Sequence, residues 1–164
     1  MKAVVTASNG GFEQLQCRVV KRPQPGDEEV LIRVLAAGMN NTEINTRVGW
    51  YSDSMTQSTS AVASFQVQQK EIPIDGGWNE ITPFPFVQGT DCYGEVIQLG
   101  SNAESKLLSK QVLVRSCMRP LGFSSMENLW MGSDFDGAFA QYVKVPQSEV
   151  FEVKCDWSAA ELAT

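Results

Sequence analysis

The chain of 164 residues contains no histidine. That removes the commonest metal ligand and the side chain most often used to move protons near neutral pH. Its cysteines, Cys17, Cys92, Cys117 and Cys155, are too far apart to form a CxxC pair. Buried or half-buried thiols are therefore expected rather than a metal knuckle or a redox dithiol. Lysine and arginine number 13, form no run, and leave a net charge of −6. Without a basic field to gather phosphates, nucleic acid is not an expected partner. No apolar run approaches the roughly 20 residues of a spanning helix, and the opening MKAVVTASNGG lacks the layout of a signal peptide. The expectation is a cytoplasmic protein with no membrane partner. No Gly-x-Gly-x-x-Gly follows a strand pattern, so the dinucleotide-binding fingerprint is missing, and no internal repeat is visible.

What remains is an ordinary globular composition, 43% hydrophobic and 20% charged, at a length suited to one domain. β-branched runs at Lys2–Thr6, Glu29–Leu35, Gly94–Leu99, Gln111–Arg115, Phe139–Val145 and Val150–Val153 are separated by Gly, Pro, Asn and Ser clusters. This predicts a mainly β barrel or sandwich with few, short helices. Two stretches break the pattern. Ser52–Lys70, rich in Ser, Thr and Gln, reads as a long mobile loop, and Pro120–Asp136 reads as an irregular lobe. At the end, Ser158-Ala-Ala-Glu161 is a capping-box pattern that opens a helix. The chain stops at Thr164 after little more than one turn, and Trp157, Leu162 and Ala163 are expected to be exposed there. A parent protein that continues past this point is the expectation.

Four segments in order carry a family resemblance: Val34-Leu-Ala-Ala-Gly-Met-Asn-Asn-Thr-Glu-Ile-Asn45, Gln88-Gly-Thr-Asp-Cys-Tyr-Gly-Glu-Val96, Gln111-Val-Leu-Val114 and Asp136-Gly-Ala-Phe-Ala-Gln-Tyr-Val143. Together they resemble the GroES-like, substrate-side domain of the medium-chain dehydrogenase/reductase superfamily, which includes alcohol dehydrogenases and quinone oxidoreductases. The resemblance implies a GroES-like partly open β-barrel over residues 1–154. Residues 155–164 would then begin the helix that leads to a dinucleotide-binding domain absent from this chain. It also implies an NAD(H)- or NADP(H)-dependent oxidoreductase parent, whose partners are a small-molecule substrate and its own missing domain; a homo-oligomeric parent stays open. The fragment alone is expected to be inactive.

The family's zinc enzymes keep a cysteine in the first segment and Gly-His-Glu in the second. Those places here hold Asn40, Thr90 and Asp91. Amide and hydroxyl oxygens are poor ligands for a borderline-soft ion that prefers thiolate or imidazole. If Gly89–Val96 is a strand, Cys92 faces away from Asp91 and offers no rescue. The expectation is therefore the zinc-free branch, with no metal. The structural zinc lobe of other members would also be lost, leaving Met118, Phe123, Met126, Leu129, Trp130 and Met131 to hold the lobe by packing.

In the zinc-free branch, hydride passes between the nicotinamide and a carbonyl, quinone or activated alkene, and charge growing on the substrate oxygen must meet fixed donors. One such donor is worth roughly 3 to 4 kcal/mol. Asn40, in the former cysteine place, supplies amide N–H groups for the substrate carbonyl or the nicotinamide amide, unless it simply caps the helix through Asn40-x-x-Glu43. Thr42 falls where the family keeps a proton-relaying hydroxyl. Asn45 falls near the relay's histidine but cannot itself take a net proton. Trp50 and Tyr51 are candidates for an apolar substrate wall, and Thr90 and Asp91 are the further candidates for the substrate pocket. Asp91 serves either as a polar anchor or as a structural acceptor. Gly89, Gly94 and Gly137 answer to backbone geometry. Two other readings stay open: a stand-alone GroES-like interaction module without catalysis, and a zinc alcohol dehydrogenase with unusual ligands.

Overall fold

A computed structural model describes residues 1–52 and 79–164. The expected loop at Ser52–Lys70 lies, apart from Ser52, outside these. The strands are β1 (Lys2–Thr6), β2 (Leu15–Val19), β3 (Glu29–Ala36), β4 (Phe86–Val87), β5 (Tyr93–Leu99), β6 (Gln111–Val114), β7 (Cys117–Met118), β8 (Leu129–Trp130), β9 (Tyr142–Pro146) and β10 (Val150–Glu152). Two helices, α1 (Asn41–Arg47) and α2 (Ala159–Leu162), and three short 3-10 turns complete the described residues. No helix among them is long and apolar enough to cross a membrane.

Strand β3 organises the fold. It pairs antiparallel with β5 on one side and β9 on the other, within a five-stranded sheet ordered β10-β6-β5-β3-β9. A central strand with both faces covered carries a continuous apolar run rather than alternation. Accordingly Val30, Leu31 and Ile32 are all fully buried. Val30 and Ile32 pack with Val96, Val112, Met118, Met131, Val143 and Val145 in the main core.

A second sheet, ordered β2-β1-β4, holds a smaller core around Ala3, Val5 and Val87. The two sheets meet through an Ala3–Ala140 bridge, flanked by Val4 N–H donating to the Phe139 carbonyl at 2.8 Å and Gln141 N–H to the Lys2 carbonyl at 3.1 Å. The chain thus leaves one sheet just before β9 joins the other, and the sheets wrap without closing. The mainly β, partly open GroES-like arrangement is as expected.

Several local expectations are corrected. The run at Phe139–Val145 becomes ladder only from Tyr142, because its first residues bridge to β1. Strand β2 forms in a stretch not expected as a strand: Leu15, Cys17 and Val19 alternate with Gln16 and Arg18, yet most of its length is exposed and it is held by pairing to β1. In the lobe, Met118 and Met131 are buried, whereas Phe123, Met126 and Leu129 are exposed. Of the expected packing residues, Met118 and Met131 join the main core. The Arg115 guanidinium lies 5.0 Å from the Phe123 ring centre and 5.2 Å from that of Phe151, and donates to Glu149 at 2.7 Å. At the C-terminus the Ser158–Glu161 capping box forms as read, and Trp157 is exposed. Ala163, however, is buried, because α2 turns back onto the chain just after β3: a Cβ on Gly38 would run into the Ala163 carbonyl oxygen.

Candidate functional site

Four residues separate the end of β3 from the start of helix α1, and the loop 88–92 leads into β5, the neighbour of β3. Two adjacent strands thus deliver the two sequence segments to one place. The loop's shape depends on Gly89, whose φ of +109° is open to glycine and whose Cβ would lie 2.7 Å from the Phe139 backbone nitrogen. Gly137 packs against it equally closely, so a side chain there would meet the Gly89 carbonyl oxygen.

Asn40, Thr90 and Asp91 come together. The Asn40 side-chain nitrogen donates to Thr90 Oγ1 at 3.0 Å and to Asp91 Oδ2 at 2.6 Å. An amide nitrogen carries only two hydrogens, so both donors of Asn40 are engaged within the protein. The capping box is also present, with Glu43 Oε2 accepting the Asn40 backbone N–H at 2.7 Å. Capping and site roles coexist, but a free Asn40 amide for substrate, as the sequence suggests, is not what the geometry offers.

Glu43 is the residue that sequence reasoning undervalued. It is 5% exposed, and its Oε1 accepts both the backbone N–H and the hydroxyl of Thr90, each at 2.9 Å. Its backbone carbonyl takes the Gln88 amide at 3.0 Å, and the Gln88 carbonyl oxygen accepts from Thr6 at 2.8 Å. A buried carboxylate tolerates its position only when its lone pairs are filled. The signal available in sequence was the Asn-x-x-Glu spacing, which points to a cap and not to a second tie across 47 residues.

Asp91 is half-buried. Oδ2 is held by Asn40, while Oδ1 has no hydrogen-bond partner among the described residues. Strand β5 begins at Tyr93, so strand alternation does not separate Asp91 from Cys92 as expected. Cys92 nonetheless lies in the main core. Burial, and secondarily the adjacent Asp91 charge, push its thiol up to about 12.

Thr42 sits in the first turn of α1, half-buried, with no hydrogen-bond partner for its hydroxyl among the described residues. Asn45, in the last turn of α1, forms a second group with Trp50 and Tyr51 just beyond the helix. The Asn45 amide reaches the Tyr51 oxygen at 3.4 Å, and the Trp50 and Tyr51 rings meet edge-on at 5.4 Å. The C-terminal end of α1 is pinned by Asn9, which donates to the Thr46 carbonyl at 2.8 Å, and by Arg47, which donates to the Gly10 carbonyl at 2.6 Å. An open cavity of about 1130 Å³, lined by Phe12, Leu15, Met39, Ile44, Arg47 and Phe139 among others, borders the site through Glu43 and Gln88.

The donor set at Asn40, Thr90 and Asp91, where the resemblance would put zinc ligands, is an amide, a hydroxyl and one carboxylate, with the amide hydrogen-bonded to the other two. Among the described residues no three His, Cys, Asp or Glu side chains gather as a metal-binding group. This set does not fit zinc, which prefers thiolate and imidazole.

Comparison with known proteins agrees with the placement of these segments. Residues 26–155 match the model of the alcohol dehydrogenase GroES-like domain. The L-threonine 3-dehydrogenase of Caldanaerobacter subterraneus subsp. tengcongensis is 28% identical over 167 residues, spanning 92% of this chain and 40% of its own length. A candidate alcohol dehydrogenase of Sinorhizobium meliloti 1021 superposes over 100% of this chain and 43% of its own, at 30% identity and a TM-score of 0.79. A candidate zinc-binding dehydrogenase of the same species, bound to NADP, shares the fold at 20% identity and a TM-score of 0.71, over 99% of this chain and 41% of its own. The chain therefore spans about two fifths of the length of its relatives. With the matched segment covering both strands that carry the site, the chain belongs to the alcohol dehydrogenase GroES-like domain family.

Proposed function

We propose that the protein containing this chain is a zinc-independent oxidoreductase that transfers hydride between NAD(H) or NADP(H) and a carbonyl-type substrate. The observation that carries this reading is the Asn40–Thr90–Asp91 cluster, in which direct hydrogen bonds join the three places where zinc-containing relatives keep ligands. The NADP-bound fold neighbour supports the nicotinamide part, and the threonine dehydrogenase relative supports alcohol–carbonyl chemistry. The dinucleotide's main site belongs to the part of the protein beyond this chain. Here Thr42 would face the nicotinamide end with its unpartnered hydroxyl, while Asn40 organises the pocket, because its amide hydrogens are engaged. When bound, the nicotinamide supplies or accepts hydride; this chain orients the substrate oxygen. Trp50 and Tyr51 offer an apolar wall beyond Asn45.

Metal analysis of the full-length protein, with cofactor oxidation assayed before and after chelation, tests the reading. Substoichiometric zinc and chelator-resistant turnover are expected. Stoichiometric, chelator-sensitive zinc would replace it with a zinc dehydrogenase of unusual ligands.

A further inference from the structure

We propose that Asp91 exchanges the proton with the substrate oxygen as hydride moves, for substrates that are neutral or cationic alcohols and their carbonyl products. This rests on the oxidoreductase reading above and narrows it. When hydride leaves an alcohol carbon, the hydroxyl proton must also leave. With no cation to hold an alkoxide, a base has to take that proton as the hydride departs.

The candidates at the site are few. The chain has no histidine. Glu43 is buried with its oxygens filled by Asn40 and Thr90. Thr90 donates to Glu43 and accepts from Asn40, so its hydroxyl is committed on both sides. Cys92 is in the core, and its thiol stays protonated. Thr42 can orient an oxygen but cannot keep a net proton. Asp91 differs from all of these. Asn40 fixes one carboxylate oxygen at 2.6 Å, which aims the other, and that Oδ1 is unpartnered among the described residues in a half-buried setting that still reaches water.

The step balances. The O–H bond breaks and its proton passes to Asp91 Oδ1. The carbon–hydrogen bond breaks with its electron pair, which goes as hydride to the oxidised nicotinamide, and the carbon–oxygen double bond forms. Asp91 then releases the proton to solvent. In the reverse direction the protonated Asp91 returns it to the carbonyl oxygen. A carboxylate here also disfavours a second negative charge beside the reacting oxygen, so neutral or cationic alcohols are the substrate class.

The test uses the full-length protein, a panel of neutral, cationic and carboxylate-bearing alcohols with NAD⁺ and NADP⁺, and the variants Asp91→Asn and Asp91→Ala. Asp91→Asn keeps an acceptor for Asn40, and a thermal melt checks that it folds. Expected are a fall in kcat of about 10² to 10⁴-fold for the best alcohol, an unchanged cofactor Kd by fluorescence titration, and partial recovery of Asp91→Ala by added formate. A folded Asp91→Asn variant that retains kcat and loses only KM overturns the proposal, as does a folded Asp91→Ala variant that formate does not revive. A wild-type protein that reduces quinones or alkenes but oxidises no alcohol also overturns it, while leaving the oxidoreductase reading in place. A wild type with no hydride transfer at all removes that reading and the proposal with it.

Discussion

Glu43 and Thr90 are joined twice, through the Thr90 backbone N–H and through its hydroxyl, both to the same carboxylate oxygen at 2.9 Å. The pair ties the first turn of α1 to the loop before β5, so the position of every polar group in the site depends on it.

Removing that carboxylate strands three donors: the Asn40 N–H, the Thr90 N–H and the Thr90 hydroxyl. Each unsatisfied buried donor costs about 1 to 3 kcal/mol, and the losses overlap because they share one acceptor. Glu43→Ala is expected to lose about 3 kcal/mol in chemical denaturation of the full-length protein, with Glu43→Gln losing less. A change below about 1 kcal/mol would show that the tie is dispensable.

Gly89 is the point at which the loop cannot accept a side chain. At φ +109°, with the Phe139 and Ala138 backbone nitrogens 2.7 and 2.9 Å from an added Cβ, Gly89→Ala meets both strain and a backbone clash. A loss of about 2 kcal/mol or more follows, together with weaker substrate binding, since Thr90 and Asp91 would move with the loop. Wild-type-like melting of this variant would contradict the geometry.

Arg115 links Phe123 of the irregular lobe to Glu149 and Phe151 through one ion pair and two aromatic faces. Glu149 is 4% exposed, so its carboxylate depends on that partner. Arg115→Ala should cost about 2 kcal/mol and speed proteolysis of the lobe. Arg115→Lys should restore less than half, because an ammonium lacks the planar fork that stacks. Limited proteolysis with mass spectrometry reads the second effect, and equal cleavage in wild type and variants would dismiss it.

The cysteines should separate by reactivity. Cys17 and Cys155 are exposed, Cys117 is intermediate and Cys92 is buried, with its thiol raised to about 12 by burial. The thiolate is the reactive form, so native protein at pH 8 should label quickly at Cys17 and Cys155, more slowly at Cys117, and at Cys92 only after denaturation. Because the thiol titrates near 9.0 when exposed and is raised to about 12 in the fold, its contribution to stability is full below about pH 9 and should fall progressively as pH rises from there toward 12. Rapid native labelling of Cys92 would refute its burial.

Much of the architecture was legible in the chain because period and punctuation are local properties. The Glu29–Leu35 run and the Ser158–Glu161 cap each depend on neighbouring residues alone, and each appears where it was expected. Strand β2 offered only a short, exposed alternation over Leu15–Val19, too weak to stand out, and the Phe139–Gln141 bridge was not legible, since pairing with distant β1 creates it. The lobe misled for a similar reason: Phe123, Met126 and Leu129 look like core by composition, but only Met118 and Met131 of the expected set join the main core.

For the site, the residue identities in Asn40, Thr90 and Asp91, together with the absence of histidine, were fixed by the chain alone and define a donor set unsuited to zinc. Which of their hydrogen bonds are available to a substrate was decided only by tertiary structure. Hydrogen-bond capacity belongs to a side chain, but its use depends on what stands within about 3 Å, and those neighbours come from segments some 50 residues away. That is why Asn40 reads as a donor in sequence yet has both amide hydrogens engaged in the fold, and why the open group in the structure is the Oδ1 of Asp91.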